Sequence, residues 1–345
     1  MNLQWCRKYT HALPLALFVI LIAEMVLSLH LGRYQITTAE ILHVLAHTPL
    51  WHATGHYDNA PWVVIEIIRL PRILMVSLCG VGLALAGATM QGVFRNPLVG
   101  PDVVGVSQGA SLGGVLAILL GWQPLGVVGM AFGFGLIGLV LAFLLAKMAG
   151  RTSTLALVLS GIIIGSFFSS FLGLAEYLAD PQTQLPGITY WLLGSFAGAT
   201  YQKVVIVAVV TLVSGSGLLL LRWRINLFSL SETDARMLGT NLDRLRWMII
   251  TFVVLLVAAQ VSVSGGVSWV GLIIPHLARI LVGPEHSKML PASAFLGGIY
   301  LLSMDDLARG MINQEIPIGL LTGFIGAPVF AILFWKLQSK GWVNE

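Results

Sequence analysis

Long apolar stretches separated by short polar segments run along this 345-residue chain. A membrane-spanning helix needs about 20 mostly apolar residues. By that measure the pattern predicts ten spans, of which the eighth and ninth are short and the eighth contains Pro275. The predicted spans are 13–31, 73–93, 103–120, 125–147, 155–174, 204–221, 247–263, 269–282, 289–303 and 319–337.

The composition supports a membrane protein, since 57% of the residues are hydrophobic and only 10% are charged. A soluble domain has about 25% charged residues. The stretch after Arg7 and Lys8 lacks a small-residue cleavage site, which favours an uncleaved first span over a signal peptide. Cys79 falls within a predicted span, far from Cys6, so no structural disulfide is expected. We therefore predict one all-α, polytopic membrane domain over residues 1–345.

The placement of lysine and arginine predicts the orientation. With the N-terminus inside, 14 of the 19 Lys and Arg residues fall on the inner side and five on the outer side. Cytoplasmic loops carry the excess of positive charge. Both termini are therefore predicted to be cytoplasmic, which agrees with an even number of spans.

A polar corner, MQGVFRNPLVGPDVVGVSQGAS (residues 90–111), interrupts two apolar stretches. Pro97 and Pro101, with Asn96 before them, end one helix, and Asp102 is placed to cap the next one from position 103. Irregular backbone at membrane depth is tolerated only when protein or water surrounds it. The corner is therefore either a buried interface or a plain turn at the inner surface.

Four segments resemble the FecCD family of ABC importer permeases, which serve ferric siderophores, haem and cobalamin. They are RLPRILM (69–75), GATMQGVFRNPLVGPDVVGVSQGAS (87–111), GGVSWVGLIIPHLAR (265–279) and IPIGLLTGFIGAPVF (316–330). The resemblance covers most of the chain from Pro61 to Leu337. It implies ten spans per subunit, in agreement with the count above.

The resemblance also implies partners and a cargo. A second permease subunit, expected to be identical although a sister subunit stays open, would pair with this chain in the lipid of the bacterial inner membrane. Two cytoplasmic ATPases and one periplasmic binding protein would complete the importer. A metal chelate, foremost a ferric siderophore, is the expected cargo; haem, cobalamin and oxyanions such as molybdate are alternatives.

No G-x-x-x-x-G-K-[ST] phosphate loop occurs in the sequence. ATP and Mg²⁺ are therefore expected on the separate ATPase chain. No cofactor, metal, nucleic acid or catalytic residue is assigned to this chain.

Three outer arginines are candidates for docking the binding protein. Arg69 and Arg72 precede the second span and Arg309 follows the ninth. Arginines at a membrane edge commonly anchor the protein or extend to the interface. The resemblance instead places them opposite glutamates of the binding protein, where bidentate pairing would fix the contact.

The cytoplasmic loop 223–246 contains a candidate ATPase-coupling helix. Ser231 and Asp234 form a start similar to a capping box, and Gly239 is suited to end the helix. So short a helix needs a packing partner, which is either its own membrane domain or, by the resemblance, a groove of the ATPase. The candidate coupling residues are Ser231, Glu232, Asp234, Ala235, Arg236, Met237, Leu238 and Gly239.

Small residues in the fifth and tenth spans form smooth helix faces, which ordinary helix packing also explains. The resemblance places these spans along the central pathway between two permeases. A wall without strong ligands would let a bulky chelate leave quickly. The candidate pathway residues are Ser160, Gly161, Gly165, Ser166, Ser169, Gly323 and Gly326.

Two other classes of function are alternatives, namely an intramembrane serine protease and an ion-coupled secondary transporter. Gly105-Val106-Ser107-Gln108-Gly109 matches a serine-hydrolase elbow with His276 as a conceivable base, but that elbow needs a strand–turn–helix setting. An ion-coupled transporter would need several buried acids, and Glu24 and Glu176 are few.

Four outer histidines form two pairs at a spacing of four residues, which on a helix would place each pair on one face. A metal site and a solvated loop are both open interpretations. The histidines are His43, His47, His52 and His56.

Overall fold

The computed structural model of the protein describes residues 13–47, 60–148, 154–230, 232–311 and 314–338. Within these ranges the fold is helical and no residue forms a strand. A helix coincides with each of the ten predicted spans, which confirms the all-α prediction. The helices are α1 (Leu13–His30), α2 (Thr38–His47), α3 (Leu70–Phe94), α4 (Val106–Leu119), α5 (Pro124–Met148), α6 (Thr154–Leu178), α7 (Leu185–Leu192), α8 (Tyr201–Ile225), α9 (Glu232–Met237), α10 (Leu242–Ser264), α11 (Val270–Val282), α12 (His286–Gly310) and α13 (Ile318–Gln338).

Six helical segments of the described residues are long and apolar enough to cross a membrane. They contain α1, α3, α5, α6, α8 and α10. α4 and α11 are shorter apolar helices of 14 and 13 residues. Their short length fits their position between other helices, because surrounding protein can cover backbone that lipid cannot.

α3 lies at the centre of the bundle, where it contacts α8, α10, α11 and α12. Two glycine pairs allow its backbone to approach its neighbours closely. A Cβ on Gly80 would lie 2.2 Å from the carbonyl oxygen of Gly297 in α12, and one on Gly87 would lie 1.8 Å from that of Gly271 in α11. Small residues permit such close approach between membrane helices. α3, α11 and α12 therefore form a tightly packed core.

A π-helical segment, Val63–Arg69, leads directly into α3. The wider π turn rotates the side chains relative to a continuous α-helix, and such turns are frequent at functional sites. Here it places Glu66 and Arg69 on the buried side. Two charged groups from this segment thus face protein at the outer end of α3.

Two predicted boundaries differ from the structure. α4 begins at Val106 instead of position 103, because a 3₁₀ turn, Pro101–Val104, and Gly105 at φ +76° come first. The prediction that Asp102 caps the helix is therefore wrong, and its carboxylate instead accepts a hydrogen bond from the Ser107 hydroxyl. α12 continues to Gly310, so Arg309 lies in its last turn and not after it.

Candidate functional site

Six charged side chains meet at the outer end of the bundle, where outer and inner refer to the orientation predicted above. They come from the π segment, α3, α12 and the segment between α12 and α13. We call this group the outer cluster; it consists of Arg69, Arg72, Asp305, Asp306, Arg309 and Glu315.

Arg72 is the centre of the outer cluster. Its Nε and Nη2 atoms each donate to one carboxylate oxygen of Asp305 at 2.8 Å. Nη1 and Nη2 also donate to Glu315, at 3.1 and 2.5 Å. Bidentate pairs of this kind are among the stronger polar contacts in proteins. Arg72 thus joins α3 to α12 and to the segment that leads into α13.

Arg69 and Arg309 are also bonded within the chain. Arg69 donates to the carbonyl oxygens of Leu29 and Tyr34, the latter at 2.6 Å. Arg309 Nε donates to Asp306 at 3.1 Å, and its Nη2 donates to the carbonyl oxygen of Ser28 at 3.0 Å. Both arginines therefore tie the outer end of α1 to its neighbours.

The structure limits how a binding protein could reach the three arginines, but it does not test whether they dock it. Arg69 and Arg72 are buried at 3% and 7% relative exposure, and the side chain of Arg309 is 11% exposed. An external carboxylate would reach these guanidinium groups only by joining or replacing an internal partner. Docking by the three arginines stays a prediction with that added condition.

The sequence did not indicate the acids of the outer cluster, or Glu66 in the neighbouring π segment. Asp305 and Asp306 fall just beyond the predicted end of the ninth span, and Glu66 precedes the predicted second span. Arg72 and Asp305 are 233 residues apart, so no local pattern in the sequence indicates that they form an ion pair. The expectation of few buried acids is corrected: Asp305 is fully buried and Glu66 is 5% exposed.

The polar corner at the inner end is a folded unit. α3 ends with Arg95 in the left-handed region at φ 49°. The side chain of Asn96 accepts a hydrogen bond from the Leu98 N–H at 2.9 Å, and the carbonyl oxygen of Pro97 accepts one from His276 Nε2 at 3.0 Å. The second bond requires the His276 tautomer that carries its proton on Nε2. Asn96 thus forms the turn, and Pro97 connects it to α11.

Two other helices cover the corner: α11 lies against Pro101 and α6 lies against Val103. Pro101 packs against α11, where a Cβ on Gly271 would lie 2.7 Å from the proline ring. Gln91 of α3 also connects to α11, because its amide donates to the Leu272 carbonyl at 3.2 Å and accepts from Arg279 at 3.3 Å. Of the two open interpretations, the structure therefore favours a buried interface.

A cavity of about 540 Å³ opens beside this corner. Residues from α3, the end of α8, α11 and the start of α12 line it. His286 closes one side through a 2.8 Å contact with Asn226. The polar lining residues include Gln91, Arg95, Asn226, Arg279, Glu285 and His286.

The predicted coupling segment contains α9, which ends before Gly239 at φ +72°. This helix and its glycine stop agree with the prediction. Ala235 is fully buried, while Met237 and Leu238 are 78% and 63% exposed. Ser231 lies outside the described residues, and no side-chain detail is described for Glu232 or Arg236, so the predicted capping box is not tested. α9 presents two apolar side chains outward.

The predicted pathway residues separate into two groups. On α6, Ser160, Gly161 and Gly165 are buried, and a Cβ on Gly161 would lie 1.9 Å from the Val103 carbonyl oxygen. These three pack against other parts of the chain. Ser166 and Ser169 lie on the exposed face of the same helix.

The predicted glycines of α13 lie beside Trp269. A Cβ on Gly326 would approach the Trp269 side chain to 2.8 Å, and one on Gly323 would lie 3.9 Å away. Gly326 is therefore a packing residue. Gly323 is half-buried and has more space.

The serine-hydrolase alternative has no support in the geometry. Ser107 donates to Asp102, while His276 Nε2 contacts the Pro97 carbonyl oxygen. Ser107 follows a 3₁₀ turn and opens a helix, and the described residues contain no strand that could form the required elbow.

Only two of the four histidines of the candidate metal site lie within the described residues. His43 lies in α2 together with the backbone of His47, whereas His52 and His56 fall outside the described residues. Within the described part of the chain, no group of three or more His, Cys, Asp or Glu residues could hold a metal ion.

The bundle of apolar helices with charged groups sorted to its two ends defines a polytopic membrane protein. Its sequence matches the profile of the FecCD transport family over residues 20–336. The chain therefore belongs to the FecCD transport family and is a permease subunit of an ABC transporter, not an enzyme.

Relatives support the assignment over nearly the whole chain. The chain is 42% identical over 331 residues to the molybdate import system permease of Haemophilus influenzae, covering 95% of this chain and 96% of that protein. It is 38% identical over 277 residues to a probable iron chelatin transport permease of Helicobacter pylori, covering 80% and 84%.

Solved structures share the fold. A metal-chelate type ABC transporter in an inward-facing conformation superposes with a TM-score of 0.84 at 41% identity, covering 94% of this chain and 99% of that chain. A chain of PsaBC from Streptococcus pneumoniae matches with a TM-score of 0.52 at 17% identity, covering 86% and 95%, which shows likeness of fold alone.

Proposed function

We propose that this chain is the permease of a binding-protein-dependent importer that carries a metal chelate, foremost a ferric siderophore, across the bacterial inner membrane. The family match over residues 20–336 carries the proposal. Both termini lie in the cytoplasm in this proposal, in agreement with the arginine and lysine distribution.

A second cargo is favoured by one specific observation. The molybdate permease of Haemophilus influenzae is 42% identical over 95% of this chain, a higher identity than the 38% of the iron chelatin permease. Molybdate import by the same architecture is therefore the first alternative, and haem and cobalamin are the remaining alternative cargoes.

The exposed face of α6 is proposed to line the pathway between two copies of the chain. Ser166 and Ser169 offer weak hydroxyl ligands on this helix, which also exposes the rings of Phe167 and Phe171. α6 carries one charged residue, Glu176, near its outer end. Such a wall binds a passing solute weakly, which suits rapid release.

The inner face is proposed to hold two ATPase subunits through α9. The exposed side chains of Met237 and Leu238 would enter a groove of the ATPase, while buried Ala235 and Phe228 fix the loop to the permease. ATP and Mg²⁺ bind to that partner, and this chain needs no cofactor of its own.

The outer cluster is proposed to dock the binding protein through Arg69, Arg72 and Arg309. All three lie within one group of contacts at the outer end. Acidic side chains of the partner would pair with guanidinium groups in bidentate geometry.

Reconstitution tests the proposed function. Liposomes containing the permease with its ATPase, ATP inside and the cognate binding protein outside should accumulate ⁵⁵Fe-siderophore against a gradient. Uptake of ⁹⁹Mo-molybdate in place of the chelate would support the alternative cargo. Uphill uptake by the permease alone, without ATPase, would contradict the importer class.

A further inference from the structure

The outer cluster contains equal numbers of positive and negative side chains. Arg69, Arg72 and Arg309 are opposed by Asp305, Asp306 and Glu315, so the formal charge of the cluster sums to zero. A neutral cluster gives little long-range attraction to an acidic protein. If the arginines dock a carboxylate, that carboxylate has to join or replace an internal one.

The two acids on Arg72 differ in accessibility. The side chain of Asp305 is 1% exposed and that of Glu315 is 23% exposed. Breaking a buried ion pair leaves an uncompensated buried charge, whereas a partly exposed pair is weakened by solvent screening. Glu315 is therefore the partner of Arg72 that can be replaced at low cost.

We propose that Glu315 is an internal substitute for the docking carboxylate of the binding protein, which displaces it from Arg72 while Asp305 stays bound. This inference rests on the proposed docking function of the outer cluster. The exchange replaces one carboxylate with another, so Arg72 keeps its hydrogen bonds throughout. Glu315 lowers the affinity of docking by competing for the same guanidinium group.

The position of Glu315 connects the exchange to a pathway helix. It lies three residues before Ile318, where α13 begins. Backbone bonds hold the intervening segment, from Ile316 N to the Ala308 oxygen at 3.1 Å and from Ile318 N to the Gly194 oxygen at 2.9 Å. Release of Glu315 removes the side-chain attachment of this segment to α3. Docking is thereby sensed at the outer start of α13.

Binding measurements on the permease–ATPase complex in nanodiscs test the proposal, with the cognate binding protein as the probe. Glu315→Gln removes the competing charge and should tighten binding by about fivefold, the order of one exposed ion pair. Glu176→Gln is the matched control, because it removes the same charge near the outer end of α6, outside the cluster. It should leave the affinity unchanged.

The failure of the exchange and the failure of docking are distinguishable. Arg309→Gln and Arg72→Lys test docking itself, with thermal melting to confirm that each variant is folded. If both weaken binding while Glu315→Gln has no effect or also weakens it, docking stands and the exchange is wrong. If neither arginine variant changes the affinity, docking at the cluster is wrong. Equal tightening by Glu176→Gln would reduce the effect to general electrostatics and overturn the exchange.

Discussion

The two ends of the bundle hold their arginines in different ways. At the outer end, Arg72 is paired with two carboxylates and Arg309 with Asp306. At the inner end, Arg95 donates to the Leu230 carbonyl oxygen and Arg279 to the amide of Gln91. Within the described residues, neither Arg95 nor Arg279 forms an ion pair with a carboxylate.

This difference indicates where a partner has to compete. A protein that binds the outer end meets guanidinium groups whose charge is already balanced, so its own acid has to join or replace an internal one. A protein that binds beside Arg95 and Arg279 meets guanidinium groups that donate to neutral oxygens, whereas Arg246 nearby is paired with Asp243. Acidic side chains of an ATPase could add to these without displacing a carboxylate.

The largest expected effect comes from removing a carboxylate of the outer cluster. Asp305→Asn leaves the charge of Arg72 buried without its main partner and should lower the free energy of unfolding by about 3–5 kcal/mol. Thermal melting of the purified permease measures it. Glu315→Gln is the control, with an expected cost of at most about 1 kcal/mol because its pair is partly exposed. Equal costs for the two variants would show that burial does not distinguish the two acids.

A second effect compares the inner and outer parts of one helix. Gly161→Ala places a methyl group against the Val103 backbone and should cost about 1–3 kcal/mol. Gly173→Ala, nearer the outer end of α6, has nothing within 4 Å of the added Cβ and should be neutral in the same melting assay. A neutral Gly161→Ala would contradict the buried corner and return Gly161 to the candidate pathway.

A third effect tests the proposed contact between α9 and the ATPase. Met237→Asp with Leu238→Asp should reduce ATP-driven uptake by about tenfold or more, because each apolar side chain loses burial worth about 1.5–3 kcal/mol. Hydrolysis by the ATPase should continue. The swap Met237→Leu with Leu238→Met keeps both side chains apolar and should retain uptake. Full uptake by the double aspartate variant would remove α9 from the coupling role.

The smallest effect is a pH dependence at the outer end, at the start of α2. The N–H and hydroxyl of Thr37 donate to Glu40 at 2.8 and 2.7 Å, and these bonds lower the pKa of Glu40 below its ordinary value. The stabilisation is present above the ordinary glutamate pKa of about 4.3 and is lost as pH falls through the lower folded value.

Hydrogen exchange of the α2 amides, corrected for intrinsic rates, should therefore show less protection in acid. Glu40→Gln removes the titrating group and should flatten the dependence. The same pH dependence in Glu40→Gln would assign it to another group.

The helices could be predicted because apolar length is a local property of the sequence. A helix coincides with each of the ten predicted apolar stretches, and α9 ends before Gly239, as the lack of a side chain there suggested. The end of α12 was predicted too early because only local apolar length was counted. Counting apolar residues stopped at Ser303, while the helix continues through Asp305 and Asp306 because arginines neutralise them.

The candidate sites depend on contacts that the sequence does not reveal. Nothing near Arg72 indicates a partner 233 residues away, and nothing near Gly161 indicates that Val103 would lie against it. Small residues predict a smooth helix face, but their spacing does not say whether protein or solute faces it. The resemblance pointed to α6 and α13, and it could not divide their residues between packing and pathway.

The contact between Gly80 and Gly297 has a mechanical consequence. Where two backbones touch directly, no rotamer change can take up a displacement, so α3 and α12 must travel as one piece, and Gly87 with Gly271 adds α11 to it. If the chain changes shape during transport, these three helices then keep their arrangement, and the relative movement occurs in the helices around them.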